Sequence, residues 1–312
     1  MTVLEGLPAP DRCLVMGVVN VTPDSFSDGG KWLDPAAAVA HGLRLAAEGA
    51  DIVDVGGEST RPGAQRVDEA EELRRVSPLI AELAASGAVI SVDTMRAGVA
   101  EAALRAGARM INDVSGGLAD PRMARVAAKA GVPYVVTHWR GHGRDMQERA
   151  VYDDVVREAA AELRRRVDEV IAAGVDRSAI IVDPGIGFAK LPGHNWALLA
   201  SLGEIARLGG DHPFPVLVGA SRKSFLGSLL RQPDGAPRPA AERDSATAAV
   251  SALAAAAGAW CVRVHAVAAN ADAVRVAARW VAASGMTAPA GAAGHAGGTA
   301  AADTARVPGT AR

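Results

Sequence analysis

The chain has 312 residues, of which 49% are hydrophobic and 22% charged, and its formal net charge is −2. That balance excludes the basic footprint of a nucleic-acid or anionic-membrane binder, so any anion site must be local. The apolar content supports one large core or two modest domains. With only four Phe, two Tyr and five Trp, Ala, Val, Leu and Ile must fill the interior. The N-terminus carries Glu5 and Asp11 and lacks a cationic start followed by an apolar run, so no signal peptide is expected. The Ala-rich stretch 246–262 is broken by Gly258 and followed by Arg263, which suits a core-facing helix better than a membrane span. Cys13 and Cys261 both sit in apolar runs and read as small core residues rather than a disulfide or thiolate metal site. A cytoplasmic protein is expected.

In chain order, residues 1–12 form a partly ordered lead-in. The first apolar run is 14–20, and it ends at Asn20. The polar segment Val21-Thr22-Pro23-Asp24-Ser25-Phe26-Ser27-Asp28-Gly29-Gly30 follows, and Asp34-Pro35 caps and opens a helix. A second run, 52–55, leads into Gly56-Gly57-Glu58-Ser59-Thr60-Arg61-Pro62-Gly63 and a charged helix over 68–86. Runs at 89–94, 109–113 and 133–139 are each followed by a helix, with the third helix placed at 151–173 after a polar loop at 140–150. The sixth run, 179–182, ends in Asp183-Pro184-Gly185-Ile186-Gly187-Phe188-Ala189-Lys190 and precedes a helix at 194–208. The seventh, 214–219, ends at Ala220-Ser221-Arg222-Lys223. After a Pro/Gly loop and a helix at 243–257, the eighth run, 259–265, precedes a helix at 268–283.

Eight strand–helix units result. Their strands are continuously apolar rather than alternating, the pattern of a parallel sheet covered on both faces. Eight such units over residues 13–283 predict a single-domain (β/α)8 barrel rather than a doubly wound sheet. Residues 284–312 are mostly Ala and Gly with no periodic apolar face, and a disordered tail is expected there.

In a barrel the strand ends converge on one face, and here they carry Asn20, Asp54, Asp93, Asn112, His138, Asp183, Lys223, Arg263 and His265. Burying several carboxylates without a ligand is costly, so the set points to binding. Asp93, Asn112 and Asp183 suit a flat heterocycle with several N–H donors, such as a 2-amino-4-oxo pyrimidine ring, and Lys223 can donate to a ring carbonyl or pair with Asp183. Arg61, Arg263 and His265, with Asn20 and Thr60, form an anion-binding group. Arg263 and His265 are two apart on a strand and share a face. A phosphate or diphosphate with Mg²⁺ is the expected anion, Asn20 offering an oxygen to the cation. No Gly-x-Gly-x-x-Gly opening, P-loop, zinc spacing or nucleophile elbow is present.

At these residues the sequence resembles the dihydropteroate synthase family. The matching blocks begin at Met16, Asp54, Ser91, Asn112, Asp183, Ser221 and Val262. The resemblance spans about residues 14–283. It implies a (β/α)8 barrel, usually a homodimer, that condenses 6-hydroxymethyl-7,8-dihydropterin diphosphate with 4-aminobenzoate. By similarity, Asp93, Asn112, Asp183 and Lys223 hold the pterin, while Asn20, Thr60, Arg61, Arg263 and His265 surround the diphosphate, Asn20 also touching Mg²⁺. Phe26, Pro62, Phe188, Lys223 and Ser224 line the aminobenzoate pocket, where sulfonamides compete. The catalytic set is Asp93, Asp183, Lys223, Arg263 and His265. The Ala/Arg-rich composition looks actinobacterial.

The expected chemistry is a dissociative substitution at the pterin CH₂, with segments 21–30 and 58–66 closing after the pterin binds. Two other functions fit part of the pattern. A non-catalytic homologue would bind pterin without turnover. A pterin-dependent methyltransferase on the same barrel would share the acids but have no use for the diphosphate cluster.

Overall fold

The computed structural model describes residues 4–21, 35–58, 67–141, 148–210 and 212–285. Its strands are β1 (Leu14–Asn20), β2 (Ile52–Gly56), β3 (Ile90–Asp93), β4 (Met110–Asp113), β5 (Tyr134–Thr137), β6 (Ile180–Asp183), β7 (Leu217–Val218) and β8 (Cys261–Val264). The helices are α1 (Pro35–Ala47), α2 (Glu69–Ala85), α3 (Ala97–Arg105), α4 (Met123–Ala130), α5 (Val155–Ala172), α6 (Pro192–Ala200), α7 (Leu202–Ala206), α8 (Ser224–Leu229), α9 (Asp244–Ala256) and α10 (Val267–Ser284). All strand pairs are parallel, in the order β6-β5-β4-β3-β2-β1-β8-β7. A parallel bridge between Val182 and Val216 joins the two ends of that order. The sheet therefore closes on itself as a (β/α)8 barrel.

Side chains alternate across each strand, and this divides the core into two layers. Leu14, Met16, Ile52, Met110, Val135, Ile181, Leu217 and Cys261 point inward and fill the barrel. Val15, Val53, Ile90, Ile111, Val136, Val182 and Val262 point outward and pack beneath the helices. Both faces are dry, which is why the runs read as continuous rather than alternating. Leu4 and Trp260 join the inner cluster, with Leu7 packed against it. Leu4 and Leu7 thus dock the lead-in on the core, and Arg12 anchors it through two hydrogen bonds to Asp51.

Several boundaries differ from expectation for local reasons. The seventh strand shrinks to Leu217–Val218. Pro215 has no N–H to give a ladder and contributes only its carbonyl, which accepts from Val182 N at 2.9 Å. The helix expected at 151 starts at Val155, because Asp154 caps it by accepting from the N–H groups of Val156 and Arg157. The single helix expected over 194–208 is two, broken at Ser201, whose carbonyl accepts from Glu204 N to start the second. Helix α10 runs to Ser284 and ends on left-handed Gly285. The proposed cap Asp34 and residues 286–312 of the expected tail lie outside the described residues.

Candidate active site

One polar layer sits above the apolar filling of the barrel, at the C-terminal ends of the strands. Register sets its members: Asn20 lies beside Gly56, and Gly56 beside Asp93, which lies beside Asn112. At its centre is Arg263. Its Nε donates to Asp54 Oδ2 at 2.6 Å and its Nη2 to Asp93 Oδ2 at 2.7 Å. Asn112 Nδ2 donates to the same Asp54 oxygen at 3.0 Å. Asp54, Asp93 and Asn112 are all buried, and Asp54 Oδ1 has no partner among the described residues. Burial pushes the Asp93 carboxyl above the ordinary carboxylate range; Arg263 opposes that shift and Asp54 adds to it.

Arg263 does not stand apart from the pterin-side acids in a separate anion group, because its guanidinium bridges Asp54 and Asp93. Asp54, counted on the ring but given no role, is the residue that ties Arg263 to Asn112. The signal for it was available: it shares the inward parity of Ile52.

The Asp183 turn forms the opposite wall. Asp183 Oδ1 accepts from Gly185 N at 2.7 Å. Gly185 (φ 67°) and Gly187 (φ 80°) both adopt left-handed backbone. A Cβ on Gly185 would overlap the His138 carbonyl oxygen, and one on Gly187 would lie 2.9 Å from Lys223 Cδ. Glycine is required at both. Lys223 places its ammonium 4.5 Å above the Phe188 ring and donates to the Ile186 carbonyl. Asp183 acts on Lys223 through space rather than through a direct bond. Burial lowers the Lys223 ammonium to about 8, against the pull of Asp183. Ser224 opens α8 immediately after it and is exposed.

His265 follows β8, and its Nδ1 lies 2.9 Å from Ser221 Oγ. The hydroxyl also accepts from His265 N at 3.2 Å, which holds Ser221 and the end of β8 together. His138, by contrast, does not belong to the ring. It follows Thr137 at the end of β5 and turns outward, with Nε2 2.9 Å from Glu162 Oε2 on α5. Its Nδ1 lies 2.9 Å from Lys190 Nζ, and an ammonium has only protons to give, so Nδ1 accepts and Nε2–H donates. Burial pushes His138 down to about 4 and Lys190 to about 7, in keeping with a neutral imidazole. Lys190 also donates to the Phe188 carbonyl at 3.0 Å. Nothing in the motif's spacing had assigned this lysine a role, although a lysine closing a Gly-rich turn after an apolar run is a visible oddity.

Asp113, next to Asn112, faces outward and takes four bonds: from Ser115 N and Oγ, Gly117 N and Tyr134 Oη. It builds the turn after β4 and does not contribute to the mouth. Thr60, Arg61, Phe26 and Pro62 lie outside the described residues. Among the described residues no group of three or more His, Cys, Asp or Glu is placed to hold a metal. The Asn20 amide oxygen would lie 3.4 Å from a Cβ on Gly56, at the rim of the mouth. A single amide oxygen fits a hard cation whose other ligands come from a phosphate ligand and water.

Residues 16–265 match the family of pterin binding enzymes. The chain is 56% identical over 268 residues to the dihydropteroate synthase of Mycobacterium leprae, covering 86% of this chain and 93% of that protein. It is 45% identical to that of Synechocystis, covering 85% and 89%. Among solved structures, the Yersinia pestis dihydropteroate synthase with a sulfonamide drug complex superposes with a TM-score of 0.82 at 38% identity, covering 90% of this chain and 98% of that one. The Xanthomonas albilineans dihydropteroate synthase in complex with 7,8-dihydropteroate gives 0.75 at 43% identity, covering 89% and 95%. With a family match spanning residues 16–265 and the same barrel as these solved structures, the chain belongs to the pterin-binding enzyme family, among the dihydropteroate synthases.

Proposed function

We propose that the chain condenses 6-hydroxymethyl-7,8-dihydropterin diphosphate with 4-aminobenzoate to give 7,8-dihydropteroate and diphosphate. The observation that carries this reading is the buried Asp54–Arg263–Asp93 array, flanked by Asn112 and Asp183, at the mouth of a pterin-binding barrel. Asp93, Asn112, Asp183 and Lys223 hold the pterin ring. Asp183 Oδ2 accepts from its N–H groups, and the Lys223 ammonium donates to its oxygen or nitrogen edge.

The exocyclic C–O bond breaks first, and its electron pair leaves with the diphosphate. The cation that remains is delocalised over the dihydropterin, and the fixed carboxylates Asp93 and Asp183 stabilise it. Arg263 Nη1 and His265 Nε2–H, with Thr60, Arg61 and Asn20, face the leaving group. Each well-placed donor of this kind is worth about 3–4 kcal/mol in the transition state. The amine lone pair of 4-aminobenzoate then forms the C–N bond, and the nitrogen loses a proton to solvent. Phe26, Pro62, Phe188, Lys223 and Ser224 hold that substrate, and sulfonamides compete for the same place. Mg²⁺, held at Asn20 with the diphosphate, would neutralise leaving-group charge.

The remaining assignments are coarser. No described helix is long and apolar enough to cross a membrane, and a cytoplasmic location is proposed with the reaction. A homodimer is proposed through α9 and α10, where Leu253, Val276 and Trp280 are exposed on two helices packed against each other.

The test is to incubate the protein with the pterin diphosphate, 4-aminobenzoate and Mg²⁺ and to follow dihydropteroate by chromatography. Product that needs both substrates and is lost in Arg263→Ala supports the reading. Tight pterin-diphosphate binding without product would instead identify a non-catalytic homologue. No binding at all would overturn the pocket.

A further inference from the structure

The segment Ser221-Arg222-Lys223 places two groups at the mouth, and the residue between them has no part in the chemistry proposed above. Ser221 Oγ lies 2.9 Å from His265 Nδ1, while Lys223 donates to the Ile186 carbonyl and sits over the Phe188 ring. The chain turns tightly to present both. Lys223 N donates to the Ala220 carbonyl at 3.3 Å, which makes Arg222 the third residue of the turn, and its φ is 58°. Positive φ at that position is ordinarily met by glycine. Backbone geometry alone therefore does not call for arginine here, and such strain persists only where surrounding contacts hold it.

The N-terminal end of α9 supplies those contacts. Arg222 Nε and Nη2 donate to Asp244 Oδ1 and Oδ2 at 2.7 and 2.8 Å, a two-point pair that fixes direction as well as distance. The pair is sheltered, with the Arg222 side chain 16% and that of Asp244 30% exposed, so salt screens it less than a surface pair. The Arg222 backbone is held on both sides as well. Its N–H donates to Thr247 Oγ1 at 3.2 Å, and its carbonyl accepts from Arg243 Nη1 at 2.8 Å. Thr247 Oγ1 in turn donates to the Arg243 carbonyl at 3.0 Å, so Arg243, Asp244 and Thr247 act as one unit. A Cβ on Gly227 would lie 2.5 Å from Arg243 Nη2, so α8, which follows Lys223, rests on the same unit.

We propose that Arg222 is a positioning residue anchored by α9: its pair with Asp244 holds the left-handed turn, and the turn aims Lys223 at the ring pocket and Ser221 at His265. This rests on the reaction proposed above. The arginine acts through its two neighbours, one facing the ring and the other seating the imidazole on the leaving-group side.

The experiment uses the full chain as wild type, Arg222→Gly, Arg222→Lys, Asp244→Asn and the double variant Arg222→Gly with Asp244→Asn. Glycine accepts the left-handed turn without strain, so Arg222→Gly removes the clamp and should still fold, which circular dichroism checks. Pterin-diphosphate affinity is read by calorimetry, and kcat and KM from initial rates across pH. Arg222→Gly and Asp244→Asn are each expected to weaken pterin-diphosphate binding about tenfold and to lower kcat by about as much. The double variant should lose no more than either alone, because both changes break the same pair. Arg222→Lys keeps a cation facing Asp244 and should recover part of the loss. The Lys223 ammonium, which burial lowers to about 8, should rise once the turn loosens, while Asp183, Asp93 and Arg263 still face it. The alkaline limb of kcat/KM then moves up by about one pH unit, a shift that a purely structural role would not produce. Affinity and kcat within about twofold of wild type in folded Arg222→Gly and Asp244→Asn would overturn the proposal. Additive losses would do the same, as would a loss in Arg222→Gly with none in Asp244→Asn, which would place the arginine on a substrate. An inactive wild type would refute the reaction, whereas an active wild type with unmoved variants would refute this inference alone.

Discussion

Replacing Arg263 with Met removes the one cation that faces both Asp54 and Asp93, at 2.6 and 2.7 Å. Among the described residues Asn112 then remains the sole side-chain donor to Asp54, through Oδ2 at 3.0 Å. A charge pair near 4 Å is worth about 4 kcal/mol at an effective dielectric of 20, and breaking a buried pair typically costs about 3–5 kcal/mol. The site can relieve part of this cost by taking up a proton. Asp93 is the group to do so, because burial already raises its carboxyl and Arg263 is the main influence holding it down. Loss of Arg263 raises it further above its unfolded value. The folded state then binds more protons than the unfolded state over that window, and stability falls as pH rises through it. Urea unfolding should therefore show Arg263→Met destabilised by about 3–5 kcal/mol near pH 8 and clearly less near pH 5. Adding Asp93→Asn should restore much of the stability while turnover stays at least about a hundredfold down. A loss under about 1 kcal/mol that does not vary with pH would refute the argument, because it would mean the two carboxylates do not need the guanidinium.

Three further outcomes follow from neighbouring contacts. The depressed Lys190 ammonium means that the unfolded chain binds more protons than the folded one between about pH 7 and 10, so stability should rise with pH there. In Lys190→Met the rise should flatten, and an unchanged slope in pH-dependent denaturation would contradict the buried Lys190–His138 contact. Gly185→Ala combines a left-handed backbone with an overlap on the His138 carbonyl, and it should cost at least about 3 kcal/mol and abolish pterin binding by calorimetry. Tyr134→Phe removes one of four donors to Asp113 on the outer side of β4. A loss of about 1 kcal/mol in thermal unfolding with near-normal turnover is expected, and a large drop in turnover would place Asp113 in the site after all.

The local elements were legible because their causes are local. Continuous apolar runs ending in polar residues gave β1 its exact ends, Leu14–Asn20, and the Gly-rich turn after Asp183 announced a close backbone approach. Eight repeats of one unit left a closed parallel barrel as the natural architecture. Their positions at strand ends also placed Asp93, Asn112, Asp183 and Arg263 at one mouth of the barrel before any contact was known. Which groups share a charge could not be read this way. Arg263 and Asp54 are 209 positions apart and meet at 2.6 Å only because the β8–β1–β2 register aligns them. His138 looked like a ring member from its place at a strand end, yet the chain turns there and a hydrogen bond to Glu162 on α5 draws it outward. Sequence fixes what each residue can offer and which way a strand presents it. Pairing energies depend on distance and burial, and those are set only when distant segments close into one barrel.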